Sequence, residues 1–263
     1  MASTHPYNQI LLFGDSITQF SFDPELKGFG ALLANIYIRK LDIINRGFSG
    51  YNTDWALPIL RQLLPTHKEQ QDQACSISLM TIFFGANDGA LPFSPQHVPL
   101  DRFKQNTKEM IDLVRNPQSR YYNPKLRLIL ITPPPINEAQ WGKLCEKDGL
   151  ALNRTNESAR TYAECISEIG RETSVPVADI WSRIMDKSHQ QKHDLSYFLL
   201  DGLHLNSNGY KELYDLLLEI ISEKYTEIHP DNLDYELAYW RDLLTQEPKN
   251  LQFPLLKNRP TTD

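Results

Sequence analysis

The stretch ILLFGDSITQF, residues 10–20, decides the fold that we predict for this chain. Four apolar residues are followed at once by Gly14, Asp15 and Ser16. An apolar run that ends in small polar residues is typical of a buried strand that turns sharply into a helix. The turn also leaves a serine hydroxyl at the carboxyl end of the strand. A serine needs a base to become a nucleophile, so the rest of the chain can be searched for one.

Short apolar runs alternate with segments of helical spacing along the chain. The predicted strands cover residues 10–13, 41–44, 77–84, 126–131 and 175–180, and the predicted helices cover 29–37, 53–64, 103–114, 159–166 and 213–221. The helix over 53–64 has the weakest pattern because Pro58 interrupts it. This alternation predicts an α/β fold, a three-layer αβα sandwich around a five-stranded parallel sheet with the flavodoxin-like order 2-1-3-4-5. Pro176 favours an edge position for the fifth strand.

Composition excludes several classes of function. The chain has 263 residues and a net charge of −6, which argues against a nucleic-acid or anionic-membrane partner. No apolar run reaches the length of a membrane span, and the N-terminus lacks the pattern of a secretory signal. Cys75, Cys145 and Cys165 are an odd number without metal-type spacing, so we expect free thiols and a cytoplasmic location.

Three polar, glycine-containing segments follow the first three predicted strands. They are Gly14-Asp15-Ser16, NRGFSG at 45–50 and GAND at 85–88. Because parallel strands end at one edge of the sheet, and ligands bind there where the strand order reverses, we expect these segments to meet around one crevice. Two long loops, 85–100 and 132–156, are predicted to form walls of that crevice.

His204 in LLDGLHLN (199–206) is the best candidate for the base that Ser16 needs. Asp201 lies three residues earlier and is placed to accept the Nδ1 proton of His204, which leaves Nε2 free to act as the base. The backbone N–H of Ser16, the N–H of Gly50 and the amide of Asn87 are candidate donors to an oxyanion. His189 and His193 have the spacing of a helical metal pair, but no third ligand accompanies them, so we expect a solvated face.

The four blocks GDSI, NRGFSG, GAND and DGLH resemble those of the SGNH (GDSL-type) hydrolases, from about residue 10 to residue 225. Longer phrases resemble the isoamyl acetate-hydrolysing esterase branch: LLFGDSIT, RGFSGY, DGLHLNSNGY and HPDNLDYELAYWRDLL. The resemblance implies a serine esterase for short-chain acetate esters with no metal or cofactor. It implies Ser16, Asp201 and His204 as the catalytic triad and Ser16, Gly50 and Asn87 as the oxyanion hole. Gly47 also fits the second block, although the family spacing favours Gly50.

Other functions remain as alternatives. An α/β-hydrolase would place its serine in G-x-S-x-G, a pattern that Ser49 misses by one residue. A phosphoacceptor domain would use Asp15, Asp88 and Thr132, but a lysine after the fifth strand is missing. An inactive binding module of the same family is disfavoured by the intact triad. Within the family, sugar deacetylation and lysophospholipase or thioesterase activity are alternative reactions.

The sequence divides into a hydrolase domain over 1–225 and a C-terminal extension over 226–263. The extension carries Trp240, Leu243, Leu244, Phe253 and Leu255. We expect these residues to pack on the body or on a partner subunit, which would make the protein a homodimer. Phe93, Trp141 and Trp55 are candidates for an apolar wall of the substrate pocket.

Overall fold

A computed structural model describes residues 7–72, 75–237 and 239–244 of the chain. Its centre is a parallel sheet with the strand order β2-β1-β3-β4-β5. The strands are β1 (Gln9–Gly14), β2 (Asp42–Gly47), β3 (Ile77–Phe83), β4 (Arg127–Ile131) and β5 (Val177–Ala178). The predicted α/β class and the strand order 2-1-3-4-5 are confirmed.

Helices cover both faces of the sheet. The helices are α1 (Ser16–Gln19), α2 (Phe29–Ile36), α3 (Thr53–Leu63), α4 (His67–Asp72), α5 (Leu100–Arg115), α6 (Glu138–Lys147), α7 (Asn156–Thr173), α8 (Ile180–Gln191) and α9 (Ser207–Lys224). Contacts between helices link α2, α8 and α9 in one layer and α3, α5 and α7 in the other. Short 3-10 helices lie at Phe20–Phe22, Leu195–Tyr197, Thr226–Ile228, Pro230–Asn232 and Trp240–Leu243.

The first strand shows why its sequence is apolar throughout. Ile10 and Leu12 belong to the core under α2, α8 and α9, whereas Leu11 and Phe13 belong to the core under α3, α5 and α7. Successive side chains of a strand point to opposite faces, so a strand covered on both faces buries every residue. β1 therefore fixes the centre of the sandwich and carries its carboxyl end to the crevice.

The structure corrects three details of the sequence-based prediction. The fifth strand has only two residues, Val177–Ala178, and the carbonyl of Pro176 accepts a hydrogen bond from Leu130 N of β4. The segment 132–156, predicted as a loop, contains helix α6. Helices α4 and α8 were not predicted. The weakest predicted helix, 53–64, does form as α3 with Pro58 inside it, and the side chain of Asn52 caps its start.

The two histidines with helical metal-pair spacing do not share a helix. His189 lies in α8, but the backbone of Lys192 has a positive φ of 54° and ends that helix. His193 therefore lies outside it and stacks on the ring of Tyr197. Within the described ranges, no group of three metal-ligating side chains is found.

Part of the predicted C-terminal extension lies within the described residues. The carbonyl of Ile228 accepts a hydrogen bond from Tyr37, and Glu236 N donates to the carbonyl of Arg39 near the end of α2. Trp240 is exposed, and Phe253 and Leu255 lie outside the described residues. The division at residue 225 stays a prediction. In the described part of the chain, no helix is long and apolar enough to cross a membrane.

Candidate active site

The turn after β1 explains the sequence Gly14-Asp15-Ser16. A Cβ at Gly14 would lie 2.6 Å from the carbonyl oxygen of Phe83 in β3, so only glycine fits between the strands. The Asp15 carboxylate accepts a hydrogen bond from Ile17 N at 2.9 Å and caps α1. Ser16 is the first residue of α1. The turn thus presents a buried serine at the carboxyl edge of the sheet.

Ser16 lies within hydrogen-bonding distance of His204, although 188 residues separate them in the sequence. His204 Nε2 lies 2.9 Å from Ser16 Oγ, and His204 Nδ1 lies 2.7 Å from Asp201 Oδ2. The rings of Phe20 and Trp141 contact the imidazole in edge-to-face geometry at centroid distances of 5.5 and 6.5 Å. The three predicted catalytic side chains are therefore in line, with the imidazole between hydroxyl and carboxylate.

The loop before α9 holds Asp201 in place. Its second oxygen, Oδ1, accepts hydrogen bonds from Leu203 N at 3.0 Å and His204 N at 2.8 Å. Burial by itself raises the pKa of Asp201, but the hydrogen bonds and the charge of His204, together with the backbone donors, outweigh burial and lower it. The carboxylate form is thus favoured beside the imidazole.

Gly202 makes this loop possible. It has a φ of +97°, and a Cβ there would lie 2.6 Å from the carbonyl oxygen of Asn137 and from Trp141 N of α6. The segment after His204 is held by Asn206, whose side chain caps α9. The motif DGLH therefore needs glycine at position 202 because the backbone there has a positive φ and no room for a Cβ. It needs aspartate at position 201 because the carboxylate accepts hydrogen bonds from His204.

Two glycines of NRGFSG have different surroundings. A Cβ at Gly47 would lie 2.0 Å from Gln19 N, so this glycine allows β2 to pack against α1. Gly50 has a φ of +80° and lines the same cavity as Ser16, and a Cβ there would meet Gln96 Nε2 at an ordinary contact distance of 3.5 Å. Gly50, and not Gly47, is therefore the glycine of this segment that lines the cavity at Ser16.

Asn87 is buried beside the cavity in a network that the sequence did not reveal. Its Nδ2 donates to the carbonyl of Tyr51 at 2.9 Å, and its Oδ1 accepts from Arg154 Nη2 at 2.8 Å and from Gln96 Nε2 at 3.1 Å. Sequence reasoning missed Arg154 and Gln96. They lie in the two long loops that it singled out, but no local pattern distinguishes them from solvated loop residues.

Two carboxyl groups near the site, those of Asp15 and Asp88, are buried. Burial raises the pKa of Asp15 to about 7 and that of Asp88 to about 6. Asp88 Oδ1 accepts hydrogen bonds from the N–H of Thr53 at 2.8 Å and from its hydroxyl at 2.5 Å, which ties the segment after β3 to the start of α3. Among the described hydrogen bonds, the Thr132 hydroxyl donates to Asp179 at 3.2 Å and not to Asp15 or Asp88, the partners that a phosphoacceptor site would need.

The cavity at Ser16 has a volume of about 250 Å³. Drug-sized ligand pockets usually measure about 300–1,000 Å³, so this one suits a small substrate. Its polar lining residues are Ser16, Ser49, Gly50, Asn87, Gln96, Asp148, Asn153, Arg154 and His204, and its apolar ones are Trp141, Leu144, Cys145, Leu150 and Leu203. Trp141 of the predicted wall residues therefore lines the cavity, whereas Phe93 and Trp55 are largely exposed.

A model of the GDSL-like lipase/acylhydrolase family matches residues 12–212 of this chain. The chain belongs to this family. The resemblance inferred from the four sequence blocks is confirmed, and the chain is a carboxylic ester hydrolase that acts on small-molecule esters.

Two similar proteins have names that contain the words isoamyl acetate-hydrolyzing esterase. The isoamyl acetate-hydrolyzing esterase 1 homolog of Mus musculus is 40% identical over 243 residues, which are 92% of this chain and 90% of the relative. The isoamyl acetate-hydrolyzing esterase of Saccharomyces cerevisiae is 37% identical over 248 residues, 90% of this chain and 96% of the relative.

Solved structures share the fold at lower sequence identity. The lipase/acylhydrolase from Enterococcus faecalis superposes with a TM-score of 0.60 at 24% identity and covers 88% of this chain and 100% of its own. An acetylxylan esterase from Geobacillus stearothermophilus gives 0.58 at 18% identity and covers 86% of this chain and 97% of its own. These likenesses support the αβα fold.

Proposed function

We propose that this esterase hydrolyses short-chain acetate esters, of which isoamyl acetate is representative, through a Ser16–His204–Asp201 triad and an acyl-enzyme. The observation that carries the proposal is the position of His204 Nε2, 2.9 Å from Ser16 Oγ, while its other ring nitrogen is bound to Asp201. Asp201 accepts the Nδ1 proton, so the lone pair of Nε2 faces the serine hydroxyl.

The reaction follows from this arrangement. Ser16 Oγ attacks the ester carbonyl while its proton passes to His204 Nε2, and Asp201 stabilises the imidazolium that forms. The tetrahedral intermediate collapses, and the leaving alcohol takes the proton from His204. Water then attacks the acetyl-enzyme by the same route, which releases acetate and restores the serine.

The negative charge on the tetrahedral intermediate needs donors opposite the nucleophile. The N–H of Ser16 lies in the first turn of α1, where backbone donors have no acceptor within the helix. Gly50 N–H and the remaining N–H of the Asn87 amide complete the proposed oxyanion hole. One such donor contributes about 2.7–4 kcal/mol to lowering the barrier.

The cavity favours acetate over long acyl chains. A volume of about 250 Å³ with Trp141, Leu144 and Leu203 in the lining matches a small ester better than a phospholipid chain. The names of the relatives from mouse and yeast, which contain isoamyl acetate, also support an acetate ester as the substrate. A screen of acyl lengths from acetate to decanoate tests this choice. Higher kcat/KM for decanoate than for acetate would instead favour the lysophospholipase alternative.

The variant Ser16→Ala tests the nucleophile. We expect hydrolysis of p-nitrophenyl acetate and isoamyl acetate to fall to the background rate, with an unchanged thermal unfolding curve. Ser196→Ala, which changes an exposed serine near the loop of His204, is the matched control and should retain full activity. Turnover by Ser16→Ala at a rate near that of the wild type would overturn the proposal.

Two further predictions concern the cellular context. Cys145 and Cys165 are buried free thiols and Cys75 is a half-buried one, which is consistent with our proposal of a cytoplasmic location. Cell fractionation tests it, and recovery in a secreted fraction would refute it.

The homodimer stays a prediction that light scattering tests, and a monomeric mass would contradict it.

A further inference from the structure

Arg154 is a buried cation beside the active site. Its side chain is 4% exposed, and it forms no ion pair with any carboxylate of the described residues. The guanidinium instead donates to neutral oxygens: the carbonyl of Ala86 at 3.0 Å and the side chains of Asn153 at 2.8 Å, Asn87 at 2.8 Å and Gln96 at 2.7 Å. Burial lowers the pKa of this group, although the charges of Asp15 and Asp201 partly offset the effect of burial.

The guanidinium determines which way the amide of Asn87 points. Arginine has donors and no acceptor, so the Asn87 atom 2.8 Å from Arg154 Nη2 must be the oxygen Oδ1. The nitrogen Nδ2 then lies on the other side, where one of its hydrogens binds the carbonyl of Tyr51. Its second hydrogen is left for a ligand of the cavity that both Asn87 and Ser16 line.

The same guanidinium orients Gln96 by the same logic. Gln96 Oε1 accepts from Arg154, so Gln96 Nε2 faces the carbonyl of Gly50 at 2.8 Å and Asn87 Oδ1 at 3.1 Å. The segment of Gly50 and the amide of Asn87 come from different loops. The buried side chain of Arg154, which comes from a third segment, therefore fixes both the Gly50 segment and the Asn87 amide.

We propose that Arg154 is a positioning residue that holds the amide N–H of Asn87, and through Gln96 the Gly50 segment, towards the oxyanion that forms on attack by Ser16. This inference rests on the proposed function of Ser16 and adds a residue outside its triad and oxyanion hole. The positive charge also polarises the Asn87 amide and makes its N–H a stronger donor. Because the oxyanion exists only after attack, Arg154 acts on kcat and leaves KM nearly unchanged.

A double-mutant cycle between Arg154→Met and Asn87→Ala tests this role on p-nitrophenyl acetate. Asn87→Ala should lower kcat by about 10²–10³-fold, as loss of one oxyanion donor does. Arg154→Met should lower kcat by about 10–100-fold, since Asn87 remains but is no longer oriented. In the Asn87→Ala background, Arg154→Met should cost clearly less, about 2–10-fold, because only its action on the Gly50 segment through Gln96 remains.

Controls separate positioning from folding. Arg160→Met removes an exposed arginine of α7 and should change neither kcat nor thermal unfolding. If Arg154→Met does not fold, Gln96→Met takes its place in the cycle and should show a smaller loss of kcat, about 2–10-fold, that becomes smaller still without Asn87.

The outcomes also distinguish this inference from the proposed function. Full and independent losses from the two substitutions would overturn the positioning role, as would a rise in KM with unchanged kcat, which indicates direct contact with the substrate. In either case an inactive Ser16→Ala variant would leave the proposed function standing. An active Ser16→Ala variant would remove the proposed function itself.

Discussion

Asp201→Asn is the substitution that most sharply separates orientation of the imidazole from folding of its loop. The asparagine keeps an oxygen for the N–H groups of Leu203 and His204, which lie 3.0 and 2.8 Å from Oδ1. It places an amide N–H₂ where Oδ2 now lies, 2.7 Å from His204 Nδ1. Nδ1 must then accept, so the ring proton moves to Nε2 and the base that faces Ser16 is lost. In a serine protease the equivalent change costs about 10⁴-fold in kcat, or about 5.5 kcal/mol.

The assay is steady-state hydrolysis of p-nitrophenyl acetate near neutral pH, with thermal unfolding measured in parallel. Asp194→Asn is the matched control, because Asp194 also accepts backbone N–H bonds in the same region but has no contact with His204 among the described hydrogen bonds. We expect it to retain activity. If Asp201→Asn kept more than about a tenth of the wild-type kcat, an order of magnitude corresponding to about 1.4 kcal/mol, the carboxylate would not be setting the tautomer.

Three other predictions follow from the same geometry. Burial raises the pKa of Asp15 from 3.8 to about 7, so its contribution to stability is present below the lower value and is lost as the pH rises through the upper one. Asp15→Asn should therefore lose less stability than the wild type between pH 5 and pH 8, by at most about 3 kcal/mol in chemical unfolding, and equal slopes would contradict this. Gly50→Ala should lower kcat about 5–30-fold, since the φ of +80° at this position strains a side chain by about 1–2 kcal/mol. The control Gly149→Ala, at a φ of +70° with no atoms near the new Cβ, should lower stability and leave kcat unchanged. Equal effects of the two substitutions on kcat would refute the role of Gly50. Metal chelation should leave activity unchanged, and loss of activity with EDTA that zinc restores would contradict the triad mechanism.

The layers and strand order could be predicted because burial on both faces leaves a clear pattern. Leu11, Leu12 and their neighbours form a continuous apolar run, and such runs alternating with helical spacing permit few topologies. Helix α6 was missed because residues 132–156 open with three prolines, which favour extended backbone. The fifth strand was predicted too long because Ile180 is buried as the first residue of α8, and an apolar residue looks the same in either element.

The proximity of Ser16, Asp201 and His204 could be predicted because Ser16 follows the end of β1 and the other two lie in the loop before α9, at the same edge of the sheet. Their roles in catalysis stay a prediction. The hydrogen bonds of Gln96 and Arg154 with Asn87 could not be predicted, because these residues come together only after two loops fold over the sheet edge. The choice between Gly47 and Gly50 likewise depends on backbone angles and packing that a spacing of three residues does not encode.

Trapping of the acyl-enzyme tests the central claim most directly. Rapid acid quenching during turnover of p-nitrophenyl acetate, followed by peptide mass spectrometry, reports which side chain carries the acetyl group. We predict one acetyl group on Ser16, formed in a burst and absent from Ser16→Ala. Acetylation of a different residue within the burst, with Ser16 unmodified, would contradict the account.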